Sequence, residues 1–174
     1  MSSIFKGRVI TACSERVTLP NGIQTDFDIV KHPGGACVLC VFENGDILLI
    51  RQYRNPAKDY LWEFPAGRLE KKEDPLNCAK RELQEEAGIE AKEWKKLGVI
   101  YTSPGFCDEQ IHLFLATGLK EVEKALEPYE VIVMHRLSEK KVREMMVAGE
   151  IRDGKTLAAL ALYWDFPKKP KKKG

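Results

Sequence analysis

The chain has 174 residues, and its hydrophobic content of 44% is sufficient for one domain with a single core. The net charge of +2 conceals a basic C-terminus, because residues 168–174 contain five lysines and the remainder has 23 basic and 26 acidic side chains. This balance argues against a nucleic-acid partner, and no window approaches the roughly 18 apolar residues of a membrane span. Five cysteines without framework spacing are typical of a reducing compartment, so we expect a cytoplasmic protein.

Residues 1–32 predict a small antiparallel β meander. Alternating stretches at residues 7–12 and 15–19 flank a turn, and the Pro-Asn-Gly of residues 20–22 is a strong hairpin signal before a third stretch at residues 24–30. A meander of this size is marginally stable by itself. We therefore expect this unit to pack on the main body or on a partner subunit.

An apolar stretch at residues 36–42 predicts a strand that is buried on both faces, with residues 47–50 as its partner strand. Cys37 and Cys40 lie three residues apart and would point to opposite faces of this strand. A shared zinc or redox site is therefore not expected, despite the C-x-x-C spacing.

Two arginines, Arg51 and Arg54, stand at the end of the partner strand on either side of Tyr53. Guanidinium groups bind phosphate through paired hydrogen bonds, so this segment suits an anionic ligand. Salt bridges at a strand edge are the alternative, and these residues alone leave both interpretations open.

Residues 75–87 predict a helix with well-defined ends. Asp74 suits the N-cap, Pro75 suits the first helical position, and Gly88 suits the left-handed residue that ends a helix. Apolar residues recur at helical spacing and form a stripe: Leu76, Ala79, Leu83 and Ala87.

Three carboxylates, those of Glu82, Glu85 and Glu86, form a second stripe on the same helix. Like charges four residues apart repel each other, at a cost of about 0.2–0.5 kcal/mol per pair. A divalent cation would convert this repulsion into coordination, because Mg²⁺ binds carboxylate oxygens. A solvated acidic face is the alternative, and charge spacing alone does not decide between them.

The rest of the chain predicts a mixed α/β layered fold. We expect strands at residues 95–101, 110–116 and 130–135, a charged mobile segment at residues 118–129, and two helices after Ser138. The second of these helices spans about residues 155–164, and the lysine-rich tail at residues 168–174 is expected to be disordered.

The segment around the acidic helix is similar to the Nudix box at every specified position. Gly67 is followed after five residues by Glu73, after seven more by Arg81-Glu82-Leu83, after one by Glu85-Glu86, and after one by Gly88-Ile89. The chain further resembles the ADP-ribose pyrophosphatase branch, which has a proline about sixteen residues after the second box glycine. Pro104 stands at that position.

The resemblance implies an α/β/α sandwich with a mixed sheet at residues 33–167, preceded by the N-terminal β unit, and a homodimer in which both subunits form the substrate pocket. It implies that Glu82 and Glu86 hold Mg²⁺, or Mn²⁺ in its place, with help from Glu85 and the Ala66 carbonyl. Arg81 would orient the box carboxylates.

The resemblance also assigns contacts with the substrate. Arg54 and Arg51 would hold the diphosphate or the terminal ribose, and Pro104 marks the branch at the pocket. Glu63 and Phe27 would contact the adenosine side.

A general base is also implied, which in many Nudix enzymes belongs to the box. In the ADP-ribose branch it is usually a glutamate on the loop before the last strand. Here that loop contains Glu121, Glu123, Glu127 and Glu130. We favour Glu130, followed by Glu127.

The expected reaction is Mg²⁺-dependent hydrolysis of ADP-ribose, a nucleoside diphosphate sugar, to AMP and ribose 5-phosphate. Metal ions would neutralise the anionic diphosphate and acidify a bound water. Another sugar nucleotide, such as GDP-mannose, is an alternative substrate. A non-catalytic nucleotide-sensing domain is an alternative of another class, although such domains typically lose the box glutamates that this chain retains.

Overall fold

The structure is a computed structural model that describes residues 2–124 and 131–165. Two candidates for the general base, Glu127 and Glu130, lie outside the described residues, as does the tail at residues 168–174. Within the part of the chain that is described, no helix is both long enough and apolar enough to cross a membrane.

Ten strands and three helices are described in these two ranges. They are β1 (Ser2–Lys6), β2 (Thr11–Thr18), β3 (Gln24–Lys31), β4 (Gly35–Val41), β5 (Ile47–Arg54), β6 (Asp59–Glu63), β7 (Ala66–Arg68), α1 (Pro75–Ala87), β8 (Ile89–Tyr101), β9 (Gln110–Glu121), β10 (Ile132–Leu137), α2 (Glu139–Val147) and α3 (Gly154–Asp165).

The first three strands form a separate antiparallel sheet in the order β1-β2-β3. The expected turn between residues 12 and 15 is wrong, because β2 pairs with β3 without interruption from Thr11 to Thr18. The turn lies earlier, where the Gly7 amide donates to the Ile10 carbonyl at 2.8 Å. Within β2, Ser14 faces Asp28 across a regular ladder.

The other seven strands form a mixed sheet. Five of them lie side by side in the order β10-β5-β4-β9-β8, and the short strands β6 and β7 lie off this path. Only β4 and β9 run parallel to each other, and the other pairs are antiparallel. β4 and β5 share only two residue pairs before they diverge, and β6 then pairs with β5 while β7 pairs with β4. The link between β6 and β7 is held by the Val38 amide, which donates to the Pro65 carbonyl at 2.9 Å.

Helices cover both faces of the mixed sheet, as an α/β/α sandwich requires. On one face, Ala79 and Leu83 of α1 pack against Val38 of β4. On the other face, Leu160 of α3 packs in a cluster with Leu39. Complete burial of each leucine stabilises the fold by about 1.5–3 kcal/mol. The predicted α/β/α fold with an additional antiparallel β unit is therefore confirmed.

The two cysteines of the C-x-x-C spacing belong to different cores, in agreement with their predicted orientation toward opposite faces of the strand. Burial raises the pKa of both thiols well above the ordinary range. Cys37 and Cys40 are therefore neutral packing residues.

Two strands are longer than the sequence pattern indicates. β8 begins at Ile89 instead of Lys95, and β9 continues to Glu121 through the stretch expected to be a mobile loop. The two strands pair along their whole length, from Ile89 opposite Glu121 to Tyr101 opposite Gln110. Their charged side chains are mostly exposed, and they weakened the apolar pattern without preventing backbone pairing.

Candidate active site

The helix α1 positions the acidic side chains, and its ends are those predicted. Asp74 Oδ1 accepts from the amides of Leu76 at 2.9 Å and Asn77 at 3.4 Å, which caps the N-terminus. Gly88 has φ 60° and ψ 42°, and its amide donates to the Gln84 carbonyl at the C-terminus. Asp74 and Gly88 thus define a helix of 13 residues that presents its glutamates toward β7.

Arg81 binds three of the box carboxylates. Its Nη1 donates to Glu82 Oε1 at 2.7 Å and to Glu85 Oε2 at 3.0 Å. Its Nε and Nη2 each donate to Glu73 at 3.0 Å, and Nη2 also donates to the Arg68 carbonyl at 3.1 Å. These hydrogen bonds hold the pKa of the Glu73 carboxyl below its ordinary value and raise that of Arg81. One guanidinium therefore orders the acidic face of α1.

The start of β7 lies directly against two of these glutamates. The Ala66 amide donates to Glu86 Oε2 at 2.9 Å. A Cβ added to Gly67 would lie 1.9 Å from both Cδ and Oε1 of Glu82. Only a residue without a side chain allows this approach. Both carboxylates are largely enclosed, with Glu82 8% exposed and Glu86 2% exposed.

These residues fit a hard divalent cation in their chemistry. The buried Glu86 carboxylate accepts from the Ala66 amide, and the buried Glu82 carboxylate lies against Gly67. Carboxylate and backbone carbonyl oxygens are the kinds of ligand that Mg²⁺ takes. Within residues 2–124 and 131–165, no three His, Cys, Asp or Glu side chains converge as a ready-made metal cluster. Arg81 contacts Glu82 and Glu85 directly, so these carboxylates are arranged around a cation of the protein.

A second charged cluster connects β5, β6 and α3. Arg54 donates through Nε and Nη2 to the two oxygens of Glu63, at 2.8 and 2.7 Å. Lys155 Nζ donates to Glu63 Oε2 and also to Asp153 Oδ1, the latter at 2.9 Å. Burial opposes ionisation of Glu63, but the hydrogen bonds and positive charges of Arg54 and Lys155 outweigh it, and the pKa of Glu63 lies below its ordinary value.

The second cluster lines a cavity of about 640 Å³, and the backbone segment that Glu86 and Glu82 contact also reaches this cavity. Ala66 and Gly67 form part of its lining, and Arg54 and Lys155 also line it. The cavity has enough space for a small anionic molecule between the arginine and the glutamate-supported backbone.

Some lining residues were not identified from the sequence. These are His32, Arg68, Tyr101, Thr102, Glu109, Asp153 and Lys155. Glu109 is held by Thr102 Oγ1, which donates to it at 2.7 Å, and His32 Nδ1 lies 3.1 Å from its other oxygen. Because these residues come from distant parts of the chain, no short spacing pattern could have revealed them.

The residues predicted to bind substrate are not all in this cavity. Phe27 and Pro104 line a neighbouring cavity of about 290 Å³, and Tyr101 borders both. Glu63 is only 1% exposed and its carboxylate is engaged with Arg54 and Lys155, so this subunit does not present it to a ligand.

Arg51 lies away from the cavity, although it precedes Arg54 by only three residues. Its guanidinium carbon is 5.6 Å from the ring centroids of both Tyr60 and Trp62. Residues three apart on a strand point to opposite faces, which explains the separation. A contact between Arg51 and substrate stays a prediction.

Comparison with known proteins gives the family that the sequence resembles. Residues 31–160 match the NUDIX domain. An ADP-ribose pyrophosphatase from Bacillus subtilis is 41% identical over 159 residues, which cover 90% of this chain and 86% of that protein. A methanol dehydrogenase activator from Bacillus methanolicus is 40% identical with the same coverage. A solved structure of an ADP compounds hydrolase matches 94% of this chain and 89% of its own with a TM-score of 0.80, and at 20% identity it shows the fold alone.

The chain belongs to the NUDIX family. Its similarity to an ADP-ribose pyrophosphatase over most of both chains confirms the predicted branch, and with it the expectation of a Nudix hydrolase.

Proposed function

We propose that the protein hydrolyses the diphosphate bond of ADP-ribose, with Mg²⁺ or Mn²⁺, to give AMP and ribose 5-phosphate. The observation that carries this proposal is the cavity that Arg54 lines together with Ala66 and Gly67, the backbone segment that Glu86 and Glu82 contact. An anionic diphosphate requires positive charge and positioning above all. The relative from Bacillus subtilis, an ADP-ribose pyrophosphatase, supports the choice of ADP-ribose.

Each residue has a proposed role in this reaction. Glu82 and Glu86, with Glu85 and the Ala66 carbonyl, would hold the metal, which when bound neutralises the diphosphate and acidifies water. Arg81 keeps these carboxylates in position through its hydrogen bonds. Arg54 binds a phosphate of the substrate.

A glutamate outside the described residues completes the proposal. Glu130, or Glu127 in second place, removes a proton from the attacking water, and general base catalysis of this kind contributes roughly 10²–10⁴-fold. The comparison of Glu130→Gln with Glu127→Gln identifies the base. Turnover should fall to that extent when the base is replaced, and it should change little when the other glutamate is replaced. Equal and small effects would instead assign the base to the Nudix box.

The proposed activity is tested by measuring AMP release from ADP-ribose with Mg²⁺, with Mn²⁺ and with excess EDTA. We expect release with a divalent ion and none in EDTA. A panel with GDP-mannose at the same concentrations tests the choice of sugar nucleotide. Failure to cleave ADP-ribose with any divalent ion would overturn the proposal, and faster cleavage of GDP-mannose would overturn the assigned substrate.

We further propose that residues 1–32 form a dimerisation unit and that residues 33–167 form the catalytic domain. The family match at residues 31–160 supports a boundary near residue 32. Exposed apolar side chains on the N-terminal unit, including Ile4 and Phe5, support a homodimer. Five unpaired thiols support the cytoplasmic location expected from the sequence.

A further inference from the structure

The Glu63 carboxylate is shared between two cations that come from different parts of the chain. Arg54 lies nine residues before it and occupies both of its oxygens, while Lys155 follows 92 residues later and binds one of them. Glu63 is 1% exposed, and the Lys155 side chain is 14% exposed. A buried carboxylate with three hydrogen bonds from two cations has one orientation available to it.

The cluster is also attached firmly to the start of α3. Asp153 accepts from Lys155 Nζ at 2.9 Å and from both the amide and the hydroxyl of Thr156, at 2.9 and 2.6 Å. The Phe64 amide donates to the Thr156 hydroxyl at 3.0 Å, which connects α3 with the residue after Glu63. The helix end therefore holds both the Glu63 side chain and the backbone that leads to Ala66.

The charges of this cluster balance each other. Arg54 and Lys155 contribute two positive charges, and Glu63 and Asp153 contribute two negative ones. Burial disfavours the charge on Lys155, but its two carboxylate partners outweigh burial and raise its pKa, so the ammonium is charged at neutral pH. Because Lys155 offsets part of the Glu63 charge, Arg54 retains a stronger positive field toward the cavity that it lines.

We propose that Lys155 is a positioning residue. Through Glu63, Lys155 orients the Arg54 guanidinium and balances its charge, and Arg54 binds the substrate diphosphate. This inference rests on the proposed function, because it requires Arg54 to bind a phosphate. It assigns to Glu63 a role behind Arg54, in place of the contact with adenosine expected from the sequence.

The experiment compares Lys155→Met with wild type, alone and combined with Arg54→Met. Methionine has nearly the length of lysine and lacks its charge, and Glu63 keeps Arg54 as a partner, so the fold is retained. Lys155→Gln gives a second variant that keeps hydrogen-bonding capacity but not charge. Lys140→Met is the matched control, because Lys140 lies on α2 with 88% of its side chain exposed. KM and kcat are measured with ADP-ribose, and Tm is measured for each variant.

We expect Lys155→Met to raise KM about tenfold with kcat within about twofold of wild type, since binding to the ground state and the transition state is lost equally. Arg54→Met should raise KM at least as much. In the Arg54→Met background, Lys155→Met should change KM by less than about twofold, because the path from Lys155 to substrate is already removed. Lys140→Met should leave KM unchanged.

The possible failures are distinguishable. If Arg54→Met does not raise KM, the proposed function of the cavity is wrong. If it does, but Lys155→Met causes the same fold increase in both backgrounds, Lys155 does not act through Arg54 and the inference is overturned while the function stands. A change in Tm without a change in KM would reduce Lys155 to a structural residue and would also overturn the inference.

Discussion

Glu86 provides the most direct test at the scale of one residue. Glu86→Gln keeps the size of the side chain and an oxygen that can accept from the Ala66 amide, but it removes the charge that would bind Mg²⁺. We expect kcat with ADP-ribose to fall at least about 10³-fold, while Tm changes little because one like-charge repulsion is relieved. The exposed Glu90→Gln is the matched control and should retain activity. Substantial turnover by Glu86→Gln would contradict the metal assignment.

Gly67 provides a steric test of the same site. An alanine Cβ would lie 1.9 Å from the Glu82 carboxylate, so the Glu82 side chain must move away from its place beside β7. We expect Gly67→Ala to lower kcat/KM for ADP-ribose by about 10²-fold or more, since small displacements at a reactive centre are costly. The clash involves a flexible side chain, so circular dichroism should show a folded protein. Unchanged kcat/KM would mean that the position of Glu82 is unimportant.

The local residues of this site could be predicted from sequence, and the distant ones could not. Glu82, Glu85 and Arg81 share a helix face at fixed spacing, so a helix prediction was sufficient to bring them together. Lys155 meets Glu63 only because α3 packs on the sheet, and the two are 92 residues apart. The sequence therefore predicted which acidic residues lie together more completely than it predicted the residues around Arg54.

At the scale of one element, the ends of α1 were predicted to the residue because capping chemistry is local. Asp74→Ala removes the acceptor for the amides of Leu76 and Asn77. We expect a loss of about 1 kcal/mol in the free energy of unfolding, measured by urea denaturation. Asp74→Asn, which can still accept these hydrogen bonds, should lose less. Equal losses in both variants would show that the carboxylate charge, not the cap, is responsible.

The contact between β6 and α3 should depend on pH through Glu63. The pKa of Glu63 is lowered below its ordinary 4.5, so its contribution to stability is present above pH 4.5 and is lost as pH falls through the folded-state pKa. The pKa of Lys155 is raised above 10.5, so its contribution persists until pH rises beyond that value. The pair therefore stabilises the protein throughout the neutral range.

The matching experiment compares Tm of wild type and Glu63→Gln from pH 3 to pH 8. We expect Glu63→Gln to lower Tm by roughly 5 °C or more at neutral pH, because Arg54 and Lys155 lose their shared counter-ion. The difference should stay constant down to about pH 5 and shrink below it. A difference that grows toward acidic pH would contradict the lowered pKa.

Strand boundaries were harder to predict than the helix. β8 contains five charged residues among its 13, so its apolar pattern is weak, yet it pairs with β9 along its whole length. Backbone hydrogen bonds and the neighbouring strand determine this pairing, and neither is visible in local composition. The same reason explains β2, which passes through its polar centre without a turn.

At the scale of the whole molecule, the N-terminal sheet has few backbone connections with the body. Val30 exchanges hydrogen bonds with the loop that follows Pro104, through the Phe106 carbonyl at 2.7 Å and the Asp108 amide at 3.1 Å. On the sheet itself, Ile4 is 63% exposed and Phe5 is 58% exposed. A small sheet that exposes large apolar side chains gains stability from burial against another surface.

A second copy of the chain is the partner that we expect for this surface, and Ile4→Lys tests it. Lysine should cost the subunit little because the position is exposed, but it would place charge in an apolar interface. We expect light scattering after size exclusion to show a dimer for wild type and a monomer for Ile4→Lys. Val147→Lys on α2, where Val147 is 85% exposed, is the control and should remain dimeric. If both subunits form the pocket, Ile4→Lys should also lose activity, whereas a monomeric wild type with full activity would show that one subunit is sufficient.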